Sequence, residues 1–137
     1  VRFFMHAFVL LEAAGYMSMI ERAFVIHWDE VPDDEINDLP VHMRGPSRVI
    51  NGVIRRATDV QRLTGEVPFV PSDPPATVVI YHRPLAIMSG LRDFAKKGES
   101  VVLYGTRRSV CVAEAYEVLS AVVGRTHIRV SKDGTFD

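Results

Sequence analysis

Apolar positions along this chain follow two periods, and the switch between them separates strands from helices. Ala23-Phe24-Val25-Ile26-His27-Trp28 is rich in β-branched and aromatic residues and stops at Asp29-Glu30, which predicts a buried strand running into a polar loop. Residues 29–46 carry Asp29, Glu30, Asp33, Asp34, Glu35 and Asp38 with Pro32, Pro40 and Pro46, a composition that predicts a long acidic loop with one helical turn near Glu35. Ser47 then caps an expected helix over 48–64, stopped by Gly65. Val49, Ile50, Val53, Ile54, Ala57, Val60 and Leu63 share one of its faces, and Arg48, Arg55, Asp59 and Arg62 the other. On that polar face Arg55 and Asp59 have the i,i+4 spacing of an ion pair.

Pro68, Pro71, Pro74 and Pro75 make residues 66–75 a stiff connector within the domain. Strand and helix then alternate: strand 77–81, helix 84–97, strand 101–104, helix 107–123, strand 127–130. The first helix buries Ile87, Met88, Leu91, Phe94 and Ala95, the second Val112, Ala115, Val118, Leu119 and Val122, and Gly98 and Gly124 end them. Continuous apolar strands joined by helical crossovers predict an α/β fold, a small open, mostly parallel sheet of about four strands with helices on both faces.

The chain has 137 residues, 47% of them apolar, enough for one core and too few for two ordinary domains, so residues 1–137 are expected to form a single domain. Residues 1–22 are its apolar amino-terminal part. The run from Phe3 to Ile20 is broken by His6, Glu12 and Gly15, and Arg2 alone is a thin basic region. A membrane span or signal peptide is therefore not expected. A core helix, a strand followed by a short helix, and a helix that covers a partner subunit all remain open for it. Val1, with Met17 and Met19 just ahead of the first clear strand, leaves the translational start open as well.

Sixteen basic against seventeen acidic side chains give a net charge of -1, which disfavours nucleic acid as a partner. A single cysteine excludes an internal disulfide framework, and a cytoplasmic location is expected.

In an open parallel sheet, ligands bind outside the carboxyl ends of the strands. Those tips read His27-Trp28-Asp29-Glu30, His82-Arg83-Pro84, Gly105-Thr106-Arg107-Arg108-Ser109 and Ser131-Lys132-Asp133-Gly134. Arg107 and Arg108 fall at the start of an expected helix, where the macrodipole disfavours cations. A bound anion would offset that. Free backbone N–H groups, the Thr106 and Ser109 hydroxyls and both guanidinium groups would surround a phosphate or carboxylate, with Gly105 admitting the backbone and His82 and Arg83 adding charge from the neighbouring tip. The competing reading points these arginines into water or pairs them with Asp29, Glu30 or the acidic 33–38 segment. Gly-Thr-Arg-Arg-Ser is neither a P-loop nor a dinucleotide fingerprint.

Cys111, close to that helix start, has the place of a nucleophile, but its helical phase with Ala115, Val118 and Val122 makes it a small core residue. His6, His27, His42, His82 and His127 lack metal-ligand spacing; His27, His82 and Asp29 are the one set that could assemble a metal site, and no metal is expected. Asp29 and Glu30 have the position of a general base and its partner, or of solvated loop residues.

The stretch from Arg22 through Asp38-Leu39-Pro40 to Arg48 resembles the opening of knotted RNA methyltransferases. The resemblance ends at Arg48, the glycine-rich cofactor loops such enzymes need near the carboxyl terminus are not found, and no residue role carries over. Three functions follow. The first is a domain that binds an anionic small molecule, a nucleotide or phosphorylated metabolite, with no catalytic residue or cofactor specified. The second is a non-catalytic interaction or regulatory subunit, as a homo-oligomer or with another chain, that uses the amino-terminal segment and the arginine-bearing helix. The third is an RNA-modifying enzyme, which would need a basic patch.

Overall fold

A computed structural model describes residues 21–64, 70–82 and 88–137. The apolar amino-terminal run, the Gly65 stop, Arg83 and the start of the expected 84–97 helix lie outside the described residues.

Among the described residues five strands form one all-parallel sheet: β1 (Glu21–Ile26), β2 (Val60–Leu63), β3 (Val78–Tyr81), β4 (Ser100–Thr106) and β5 (Ile128–Phe136), in the order β2-β3-β1-β4-β5. Both faces of the inner strands are buried, as the crossover connections of a parallel sheet bring about. Phe24, Val25 and Ile26 of β1 have no exposed surface, and all four residues of β3 are buried. Helix α1 (Val41–Arg56) covers one face, where Ile50 meets Val25, Ile80, Val102 and Trp28. A 3-10 helix (Met88–Phe94) and helix α2 (Ala113–Val123) cover the other, packing Leu91, Phe94, Ala115 and Leu119 on Phe24, Ile26, Val79 and Leu103. Buried Arg22 locks the lower edge of β1, donating to the carbonyls of Ala76 and Phe94 at 3.0 and 2.5 Å and to Glu99 at 2.9 Å.

The expected 48–64 helix is displaced. It begins at Val41 and ends at Arg56, and Ser47 is a fully buried mid-helix residue with no cap role. Pro40, in an extended conformation, starts the helix; Pro46 lies within it and leaves the His42 carbonyl without its usual helical donor. The acidic loop is correspondingly shorter, and its middle is a 3-10 helix (Asp33–Asp38).

Beyond Arg56 the backbone extends at Ala57, and Val60–Leu63 becomes the fifth strand, paired with β3. Asp59 therefore cannot meet Arg55 one helical turn away. Its carboxylate accepts from the Thr77 hydroxyl at 2.8 Å, while Arg55 pairs with Asp33.

In place of the expected 84–97 helix the described residues form a 3-10 helix that ends at Phe94, yet Met88, Leu91, Phe94 and Ala95 are buried as the spacing required. The expected 107–123 helix opens as a π-helical turn (Arg108–Val112) before becoming regular. β5 runs on to Phe136: its register with β4 breaks after Leu103/Val130 and resumes at Gly105/Thr135, so Ser131–Gly134 arch out of the ladder. Among the described residues no helix is long and apolar enough to cross a membrane.

Candidate anion site at the carboxyl ends of the strands

The strand order reverses direction at β1: β3 and β2 lie to one side, β4 and β5 to the other. The carboxyl ends of β1 and β4 thus mark the topological switch point, where loops diverge to opposite sides of the sheet. Two non-glycine residues with left-handed backbone flank it, His27 (φ 55°) just after β1 and Arg107 (φ 58°) just after β4. The Thr106 hydroxyl ties the loops together by donating to the His27 carbonyl at 2.6 Å.

Of the expected site residues, Gly105, Thr106, Arg107, Arg108 and Ser109 are brought together at this end, but they face different partners. Gly105 lies against the backbone of Ile26 and is structural. The Arg107 carbonyl accepts from the Val110 and Val112 N–H groups at 3.0 and 3.1 Å, while its side chain is exposed and makes no hydrogen bond or ion pair with a described residue. Arg108 is spoken for in part: Nε donates to the Thr135 hydroxyl at 2.9 Å and Nη2 to the Thr135 carbonyl at 2.5 Å.

Ser109 offers the two donors expected for a ligand, and a carboxylate takes both. Its backbone N–H and hydroxyl donate to Asp137 Oδ1 at 2.9 and 2.7 Å. Those two bonds, the backbone one first, hold the Asp137 carboxyl below the ordinary carboxylate range, and the charge of Arg108 acts in the same direction.

His82 is separate from this cluster. Its Nδ1 lies 3.5 Å from Asp29 Oδ1, an ion pair only when the imidazole is protonated, and its buried Nε2 has no partner among the described residues. Among the described residues the acidic segment makes no ion pair with Arg107 or Arg108, and the exposed Arg107 side chain fits the part of the competing reading that points it into water. Glu30 pairs with Arg62, Asp33 with Arg55, and Asn37 accepts from Arg48 at 2.8 Å. Of the arginines of α1, Arg55 is thus ion-paired with the acidic segment, and Arg48 is held by a neutral amide.

Cys111 is half-buried rather than sealed in the core, and its Sγ lies 3.5 Å from Nδ1 of His27. A thiol beside an imidazole is the pairing that nucleophilic cysteines use. Nearby, burial pushes the Tyr81 phenol up, and Glu114 and Cys111 add to that shift. Among the described residues no cluster of three His, Cys, Asp or Glu side chains is placed to hold a metal ion.

A cleft of about 620 Å³ opens beside Arg108, between the first turns of α1 and the end of β5. His42 and Val49 line it from α1, and Lys132, Asp133, Phe136 and Asp137 from β5 and the residue beyond it. No side chain caps the amino end of α1. Phe136 forms the floor, edge-on to Trp28 at 6.5 Å and to His42 at 6.1 Å.

Sequence reasoning missed the part played by His42, Phe136 and Asp137. The available signal was Pro40, a helix-starting residue that would have placed His42 in a first turn. Nothing local announced that β5 resumes after its arch. No family model matches the chain, and no curated protein and no solved structure matches it.

Proposed function

We propose that the chain binds an anionic small molecule, a nucleotide or phosphorylated metabolite, at the carboxyl ends of its parallel strands. One observation carries the reading: Arg108, Lys132 and His42 line a single cleft of about 620 Å³ at the uncapped amino end of α1. The Arg108 and Lys132 side chains and the positive end of a 16-residue helix favour negative charge there, opposed by Asp133 and Asp137 in the same lining. The Arg107 side chain, exposed at the switch point with no partner among the described residues, adds a guanidinium at the same end of the sheet. Such a domain would work in the cytoplasm, where phosphorylated metabolites are found and an unpaired cysteine stays reduced.

Thermal-shift titration with ATP and with sugar phosphates tests the reading. Saturable stabilisation by a phosphorylated compound is expected, and an Arg107→Ala, Arg108→Ala double variant should bind at least about tenfold more weakly. No stabilisation by any anion, or an unchanged response in the double variant, would overturn it.

A further inference from the structure

We infer that the Asp137 side chain is an internal competitor for the anion: it occupies the donors of Ser109, and a ligand must displace it to bind fully. The inference rests on the anion reading and concerns the regulation of that same site. Ser109 stands near the start of the helical stretch that continues into α2, and its N–H and hydroxyl converge on one oxygen of Asp137. A carboxylate there imitates one edge of a phosphate, with the same charge sign and acceptor oxygens of similar reach. The donors of Ser109 already hold a carboxylate of the chain itself.

Asp137 is exposed and enters by way of the last residues of β5, which Arg108 anchors through Thr135. Its release would break two hydrogen bonds at the surface and leave the Thr135 anchor untouched. Lys132, Asp133 and His42 are the other charged or titratable groups lining the cleft. Asp133 has the same charge as Asp137 but no hydrogen bond to Ser109 among the described residues, so it separates competition for a seat from a general effect of negative charge.

The experiment measures binding of ATP and of inorganic phosphate to the full chain by calorimetry. Asp137→Ala is expected to tighten binding roughly tenfold, and Asp137→Asn, which keeps an acceptor oxygen but loses the charge, by less. Adding Ser109→Ala to Asp137→Ala should reverse the gain. Asp133→Asn should change affinity much less than Asp137→Ala. Binding by the wild-type chain with no gain in Asp137→Ala, or an equal gain in Asp133→Asn, overturns the competition alone. Absence of binding in both the wild-type chain and Asp137→Ala overturns the anion reading and the competition with it.

Discussion

Gly105 sits where β4 presses hardest on β1. With φ at 131°, a Cβ added there would come within 2.0 Å of the Ile26 carbonyl oxygen, a rigid backbone atom. Gly98 also has positive φ, 84°, but open space around it. The pair separates steric exclusion from backbone strain: Gly98→Ala is expected to cost about 1–2 kcal/mol, and Gly105→Ala more than about 3 kcal/mol or the cooperative transition itself, both read by urea denaturation. Equal costs would show that β4 and β1 can separate freely at their upper ends.

Ser47 has the opposite character. Its hydroxyl, in the middle of α1, is fully buried with no partner among the described residues, so Ser47→Ala should stabilise the fold by up to about 1 kcal/mol in the same assay. A loss of stability would reveal a partner for that hydroxyl.

At the scale of elements, the stretch from Arg48 to Leu63 shows how an apolar pattern can be read in phase and still be misassigned. Val60 and Leu63 continue the helical stripe of Val49, Ile50, Val53 and Ile54, and a three-residue spacing alone does not distinguish the last turn of a helix from a short strand. What separates them is a contact across the chain: Asp59 receives the side-chain and backbone donors of Thr77, which aligns Val60 with Val78 and starts the β2–β3 ladder.

That contact also makes stability depend on pH. The Thr77 hydroxyl, then its N–H, lowers the Asp59 pKa in the folded chain, so folding gains while Asp59 is ionised in both states. The gain is complete above the ordinary carboxylate range and disappears as pH falls through the depressed folded value. Thr77→Val should therefore be less stable than the wild-type chain at neutral pH, and the gap should close in acid. A gap independent of pH would mean that the hydroxyl acts through packing alone.

Across the whole molecule, near-neutral net charge conceals an uneven arrangement. Acidic residues after β1 take up Arg55 and Arg62, whereas the Arg107 side chain is left without a partner among the described residues and Arg108 and Lys132 line the cleft at the other side of the switch point. A ligand that binds only the folded chain and is present at a hundred times its Kd would add about 2.7 kcal/mol, raising the Tm of a domain of this size by roughly 10 °C. A smaller shift at saturation would indicate that the ligand also binds the unfolded chain.

The sequence by itself determined the fold class, because runs such as Phe24-Val25-Ile26 and Val78-Val79-Ile80 have no polar face and must be covered twice, which an α/β layering achieves. It also located the polar tips after β1 and β4 and buried positions of the helices, since both depend on local periodicity, whereas the tip expected at Ser131–Gly134 falls within β5. Tertiary structure alone decided the fifth strand, the arch in β5, the meeting of Cys111 with His27 and the seating of Asp137 on Ser109. Each of these joins residues far apart in the chain, and the free energy that selects them comes from pairing and packing that exist only once the sheet has formed.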